Sequence, residues 1–163
     1  MSYNNILLVV LMCFMNMTSD MQSKSTINFS EYTFNTITGE QTSITLEDDK
    51  IYILDFWYLE CAPCIKDHLV IAKYSDYAKK QNIEIIGISI DRSKSKWAAY
   101  LETHDYNWTN YNQFGTDKSL YKDLEIQFFP TYLVVNSKGD LLHKANRFKS
   151  ALDFIEASNF KNE

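Results

Sequence analysis

The sequence predicts an α/β domain with a mixed central sheet flanked by helices. Three observations carry this. The runs Ile51 to Tyr58 (IYILDFWY) and Ile83 to Ile90 (IEIIGISI) are nearly continuous apolar stretches, as strands buried on both faces require. Between them, Cys64 to Lys80 has helical length and an amphipathic pattern, so strand, crossover helix and strand form a right-handed βαβ unit. Further on, Thr131 to Val135 and Leu141 to Lys144 flank the tight turn Ser137-Lys138-Gly139 and read as an antiparallel pair.

The remaining elements fall into place around these. Phe29 to Leu46 holds two alternating stretches, Tyr32-Phe34 and Thr42-Ile44-Leu46, around Thr38-Gly39-Glu40; this is an N-terminal β-hairpin. Glu47 to Lys50 is a turn. In the helix Cys64 to Lys80, Ile65, Leu69 and Ala72 are expected to form the inward stripe, with Lys66, Asp67, Lys73, Asp76 and Lys80 outside. A central helix, Lys96 to His104, takes its cap from Ser93 or Ser95, and its Trp97, Tyr100 and Leu101 have core spacing. Trp108 to Phe114 is irregular with at most a short strand. Asp117 to Leu124 is a short helix, and Ser150 to Phe160 closes the chain as a helix with Leu152, Ile155 and Phe160 facing inward.

The chain of 163 residues suffices for one domain with a core, read as residues 29–163. Apolar residues are 45% of it, a globular composition. With 21 Asp plus Glu against 16 Lys plus Arg, the formal charge is −5, which excludes nucleic acid as an expected partner. Ile6 to Met15 (ILLVVLMCFM) is too short to span a bilayer and fits the apolar core of a secretory signal, residues 1–22, with a polar linker at 23–28. MSYNN before it lacks the usual Lys or Arg, and a buried N-terminal helix is the alternative. Cys13 lies in this run. It is removed with a cleaved signal or carries a lipid, although Met12 stands where a lipoprotein signal has a small residue. The expected location is the periplasm, free or membrane-anchored through Cys13 or an uncleaved N-terminal segment.

Of the three cysteines, Cys61 and Cys64 form a CxxC pair, Cys61-Ala62-Pro63-Cys64. Such a pair serves zinc sites as well as redox sites. Its context favours redox chemistry. It follows a buried strand and opens a helix, so Cys61 sits where unpaired backbone N–H groups favour a thiolate. Cys64, one turn on, can close a disulfide or resolve a mixed one. Pro63 is tolerated in the first turn. Zinc usually needs four ligands for a closed site, and a mature chain without Cys13 offers, beyond the pair, His68, His104 and His143, with no second CxxC. No metal and no cofactor are expected.

Asp55 interrupts an apolar strand. A carboxylate there is costly without a partner, and burial raises its pKa, which suits a proton acceptor for Cys64. A strand-end Asp reaching solvent is the alternative. Pro130 enters the strand Thr131 to Val135, where a proline cannot donate to the ladder. A cis bond in a tight bend and a trans proline at the first strand residue both answer that. His68 reads as a semi-exposed helix histidine, with modulation of the sulfur as the other possibility.

Taken together, Asp55-Phe56-Trp57 ahead of Cys61-Ala62-Pro63-Cys64, and Phe129-Pro130-Thr131 further on, resemble the thioredoxin superfamily. With the leading hairpin and a long Cys64 to Pro130 spacing that accommodates the central helical insert, the chain is similar to the exported TlpA/ResA-like thiol–disulfide oxidoreductases, from about Phe29 to Phe160. The resemblance implies a thioredoxin-like fold and a monomer. It implies that Cys61 attacks a disulfide in a protein substrate, that Cys64 resolves the mixed disulfide, and that Asp55 assists the proton. Pro130, Phe129, Thr131 and Trp57 would meet the substrate, and an upstream thiol donor would restore the dithiol. A reductant outside the cytoplasm is the expected role.

Two positions depart from the pattern. Glu60 stands where the family usually has Trp. A negative charge there opposes the Cys61 thiolate and favours a more reducing couple, unless it is simply a solvated acid. Phe128 and Phe129 are bulkier than usual and, with Trp57, make either an apolar docking patch or ordinary core. Two competing functions are a peroxiredoxin-like peroxide reductase, disfavoured because Tyr58 stands where such enzymes have Thr, and a redox-inactive binding module of the same fold.

Overall fold

The computed structural model of the protein describes residues 25–158. The export-signal reading of residues 1–22, with Cys13, and the inward role of Phe160 concern residues outside that range. One seven-stranded mixed sheet has the order β2-β1-β5-β4-β3-β6-β7. Its strands are β1 Phe34–Asn35, β2 Gln41–Thr42, β3 Ile51–Trp57, β4 Ile83–Ser89, β5 Thr109–Asn112, β6 Thr131–Asn136 and β7 Leu141–Ala145. The helices are α1 Ala62–Lys80, α2 Lys94–His104, α3 Leu120–Asp123 and α4 Phe148–Ala157, and a single 3₁₀ turn, Phe29–Glu31, precedes them.

β3 is the centre of the sheet. It pairs with β4 in parallel and with β6 antiparallel, and six of its seven residues, from Tyr52 to Trp57, are buried. Successive strand side chains point to opposite faces, so the strand sorts its residues by parity. Tyr52, Leu54 and Phe56 join Phe34, Ile86, Ile88, Leu120, Leu133 and Val135 on one face. Ile53 joins Ile71 of α1, Val134 and, from α4, Phe148, Leu152 and Ile155 on the other. Asp55 and Trp57 share the parity of Ile53 and so face α1. Each such large apolar side chain contributes about 1.5–3 kcal/mol when fully buried.

The structure revises several expected boundaries. The N-terminal hairpin pairs only Phe34 with Thr42 and Asn35 with Gln41, because β1 must also bond β5, as the antiparallel bridge Asn35 to Asn112 shows. Trp108 to Phe114 contains a true strand, β5, parallel to β4. The short helix shrinks to Leu120–Asp123, and the last begins earlier, at Phe148. In α1 the inward stripe is Cys64, His68, Ile71, Ser75 and Ala78, while Leu69 and Ala72 face solvent and Ile65 is only half-buried. The helix itself starts at Ala62, two residues before Cys64, and Ser93 is the residue that caps α2, accepting from the Lys96 N–H.

Residues 25–28, read as linker, are part of the domain. The Ile27 N–H donates to Gly139 O at 2.8 Å, the Leu141 N–H to Ser25 O at 2.9 Å and Thr26 Oγ1 to Asp140 Oδ1 at 2.7 Å, and the Ile27 side chain is buried. The β6–β7 turn makes this possible. Gly139 has φ of +82°, and a Cβ there would collide with the Ile27 carbonyl oxygen. Gly139→Ala is therefore expected to lower the unfolding free energy by about 1–3 kcal/mol in urea titrations. An unchanged midpoint would show that the N-terminal segment yields freely.

Candidate active site

Cys61 and Cys64 are joined by a disulfide at the start of α1. Cys61 is the N-cap residue: its Sγ accepts from the Cys64 N–H at 3.2 Å, and its carbonyl accepts from Ile65 N at 3.1 Å. A helix N-terminus offers such N–H groups unpaired, and a sulfur placed there meets the positive end of the helix. Cys61 is 4% exposed and Cys64 fully buried. The two sulfurs thus occupy different environments, one under the rim and one in the interior, packed with Trp57, Trp97 and Leu101.

Beneath them lies a buried polar pair. Asp55 and His68 have no exposure, and His68 Nε2 lies 3.1 Å from Asp55 Oδ2. His68 is one turn below Cys64 on the same buried stripe, which is why the strand parity of Asp55 brings the two together. Burial pushes the Asp55 carboxyl above the usual carboxylate range; the His68 ring, by hydrogen bond and charge, opposes that rise, and the nearby Asp67 adds to it. Asp55 Oδ1 and His68 Nδ1 have no hydrogen-bond partner in the structure.

Aromatic rings enclose His68. Trp57 and Tyr106 meet it edge-on at 4.5 and 5.4 Å, Trp108 at 5.8 Å, and Tyr100 stands at 6.5 Å. The Tyr100 and Tyr106 hydroxyls bond each other at 2.9 Å, and burial, then that bond, raises the Tyr100 hydroxyl above its ordinary value. Gly87, opposite Asp55 on β4, yields its side-chain space to a neighbour: a Cβ there would strike the Asn110 side chain and lie 3.2 Å from Trp57 Nε1.

Two further carboxylates hold the surroundings. Asp67 Oδ2 accepts from the Tyr132 hydroxyl and from the Phe148 N–H, both at 3.1 Å, tying α1 to β6 and capping α4, whose N-cap Arg147 supplies no side-chain bond. Asp91 receives the Leu59 N–H on both oxygens at 3.1 Å and the Ser89 hydroxyl at 2.8 Å, anchoring the loop that leads into Cys61. Burial raises the Asp91 carboxyl, those bonds oppose the rise, and Glu60 adds to it. Asp91 helps line a cleft of about 510 Å³ with Tyr58, Leu59, Glu60, Arg92 and Lys96.

Of the residues expected at the site, the structure gathers most. Pro130 follows a cis peptide bond from Phe129, settling the alternatives the sequence left open. Phe129 packs against the cysteine cluster and meets the Tyr58 ring edge-on at 5.4 Å. Thr131 is buried, its hydroxyl donating to Phe128 O at 2.7 Å. Glu60 is exposed beside Cys61. Two expectations are corrected. Trp57 is not part of a surface patch with Phe128: strand parity turns it inward and leaves it fully buried, whereas Phe128 is 79% exposed. His68 is not semi-exposed but buried against Asp55. Its signal was the spacing Cys64, His68, Ile71, Ser75, Ala78, weakened as an apolar stripe by its polar members. Asp91 carries no local signal in the sequence, because its role depends on the Leu59 N–H across the sheet.

The comparisons with known proteins agree on this architecture. A family model described as thioredoxin-like matches residues 48–141, the span holding Asp55, both cysteines, His68 and Pro130. The chain is 22% identical over 104 residues to the thiol–disulfide oxidoreductase ResA of Bacillus subtilis, covering 64% of this chain and 57% of that protein. It is 23% identical over 111 residues to the thioredoxin-like protein YneN of the same organism, covering 67% and 64%. The match thus spans less than two thirds of either relative. Among solved structures, the thioredoxin domain of a thiol–disulfide oxidoreductase from Bacteroides vulgatus superposes with a TM-score of 0.69 at 23% identity, over 83% of this chain and 98% of that one. StoA from Bacillus subtilis gives 0.62 at 20% identity, over 77% and 93%.

Folded Asp55 holds its proton to higher pH than the unfolded chain does. The folded state therefore binds more protons in the window above the ordinary carboxylate value, and stability falls as pH rises through it. Asp55→Asn is expected to remove that fall, leaving the variant the more stable of the two at neutral pH in urea titrations. Profiles that run parallel from acid to neutral pH would contradict this.

Proposed function

Since this chain belongs to the thioredoxin-like family, we propose that it is a thiol–disulfide oxidoreductase that exchanges disulfides with protein substrates through Cys61 and Cys64, as a reductant outside the cytoplasm. The observation that carries this reading is the placement of Cys61 as the N-cap of α1, with its sulfur receiving the Cys64 N–H. A thiolate is the attacking species, and this position stabilises one.

In the reaction, the Cys61 thiolate attacks a substrate disulfide and forms a mixed disulfide. Cys64 then attacks the Cys61 sulfur, the Cys61–Cys64 bond forms and the substrate leaves reduced. Asp55, buried beneath the pair, takes the proton of Cys64. Phe128, exposed on the loop before Pro130, and Phe129 beside Cys61 offer apolar contact to the substrate chain. An upstream thiol donor of a different protein returns the bridge to the dithiol. The extracytoplasmic setting rests on the apolar run Ile6 to Met15, with anchoring through Cys13 or that run as the alternative to release.

Trapping tests the reading. Cys64→Ser should accumulate mixed disulfides through Cys61, identifiable by mass spectrometry, and Cys61→Ser should lose insulin reduction by at least about 100-fold. The reading fails if nothing is trapped and the wild-type pair shows no reversible couple. Glu60 supplies a second test. Its charge opposes the Cys61 thiolate, so Glu60→Trp should make the couple less reducing, by on the order of 10 mV for an exposed charge. Equilibration with glutathione measures it; an unchanged or more negative potential assigns Glu60 no part.

A further inference from the structure

Resting on the oxidoreductase reading above, we propose that His68 is a positioning residue for the exchange. Its Nε2–H, donating to Asp55 Oδ2, holds that carboxylate with its other oxygen ready for the proton that Cys64 gives up on closing the bridge.

Geometry carries this. Asp55 and His68 are both without exposure and are bonded at 3.1 Å. For Asp55 to be a carboxylate, Nε2 must carry the hydrogen of that bond. Among the described residues Oδ1 has no partner within hydrogen-bond distance, although the Tyr132 hydroxyl, bonded to Asp67, also acts on this carboxyl. A buried carboxylate oxygen left unbonded costs free energy unless it has work to do. Cys64 and His68 lie one turn apart on the buried stripe of α1, and Trp57 touches both the cysteine cluster and the His68 ring. His68, and through it Asp55, thus adjoins the turn of α1 that carries the inner sulfur, whereas Cys61 draws on the helix N-terminus. The titratable and charged groups around it are few. Asp67 and the Tyr132 hydroxyl bond each other on one side, and the Tyr100 and Tyr106 hydroxyls bond each other on the other. Among the described residues, the groups acting on the Asp55 carboxyl are His68, Asp67 and Tyr132, none of them a lysine or arginine.

The step balances within the proposed reaction. The Cys64 thiol gives its proton to the Asp55 carboxylate, directly or through one water. The thiolate so formed attacks Cys61 Sγ in the mixed disulfide. The Cys61–Cys64 bond forms, the bond from Cys61 to the substrate sulfur breaks, and the substrate departs as a thiolate. Two electrons pass from the cysteine pair to the substrate disulfide. Without the His68 donor, burial acts on Asp55 with only the Tyr132 hydroxyl left to oppose it, so the carboxyl is shifted towards its protonated form and is a poorer acceptor for the Cys64 proton.

Reaction of the reduced protein with 5,5′-dithiobis(2-nitrobenzoate) separates the two sulfurs. Attack by Cys61 releases one thionitrobenzoate, and closure by Cys64 releases the second. In His68→Leu the second phase should slow about tenfold at neutral pH and its acid limb should move up by about one pH unit. The first phase should change less than about twofold, and His68→Gln, which keeps a donor near Nε2, should restore most of the second. A second phase with the wild-type pH profile in His68→Leu overturns the proposal while leaving the oxidoreductase reading intact. A wild type that releases no second thionitrobenzoate overturns both. Should His68→Leu fail to fold, the wild type decides. The Asp55 carboxyl carbon and the His68 ring, followed by NMR in the reduced protein, must report the same titration step, and independent titrations overturn the proposal.

Discussion

A carboxylate with no exposure to water sits in the central strand of this protein, and much of the rest is arranged around that fact. β3 is enclosed by β4, β6 and two layers of side chains, so Asp55 can find a partner only within the fold. Taking a charge out of water costs several kcal/mol, and one good hydrogen bond offsets only part of it. The partner is His68, and its position fixes the rotation of α1 about its own axis. With His68 turned inward, Cys64, Ile71, Ser75 and Ala78 must follow on the same stripe. With Cys64 inward, Cys61 falls at the N-cap. The register of the reactive pair and the pairing of the buried acid are thus one constraint seen from two ends of the helix.

The rim around the cysteines is held by polar groups with specific partners rather than by apolar packing alone. Asp91 receives the Leu59 N–H on both oxygens, and Asn112 Nδ2 bonds Ser89 Oγ at 3.1 Å and Asp91 O at 2.9 Å. The Asn112 carbonyl in turn accepts from Asn35 Nδ2, whose Oδ1 accepts from Lys94 Nζ. One chain of bonds therefore joins β1, β5, the end of β4 and the loop into Cys61. On the other side, the Thr131 hydroxyl fastens the loop before Pro130, and Asp67 ties α1 to α4. Against this framework the exposed Phe128 ring stands out, since nothing among the described residues covers it.

Much of this was legible in the sequence. The apolar runs in β3 and β4, the Ser137-Lys138-Gly139 turn and the CxxC at a strand–helix junction each carry their own local physics. Asp55 was legible for the same reason: a charge inside an apolar run contradicts its surroundings. What stayed hidden depends on contacts between distant segments. His68 reads as an ordinary helix residue until Asp55 is known to lie across from it. Leu69 and Ala72 mimic an inward face of α1 because two apolar residues outweigh a histidine and a serine in any apolar count. β5, rich in Asn and Thr, has no strand pattern of its own; its ladder with β4 and the Asn35 bonds make it one. Trp57 shows the reverse case, where parity with Ile53 and Asp55 already pointed inward, away from the surface patch its size suggested.

The two sulfurs face opposite halves of the molecule, and each half holds one kind of control. Cys61 lies under the rim as the N-cap of α1, next to the exposed Glu60 and packed with Phe129. In the proposed exchange, charge and apolar contact there would act on thiolate formation and on what approaches. Cys64 lies inside without exposure, against Trp57 and one helical turn from His68. In the proposed exchange, electrons leave through the outer sulfur while the proton of the inner one must be taken up by the protein itself. A thiol as buried as Cys64 would resist ionisation unaided, since burial disfavours the charged form. In the proposed exchange an internal carboxylate next to a hydrogen-bond donor meets that difficulty, which would give a use to so costly a residue as Asp55 in a strand with six of its seven residues buried.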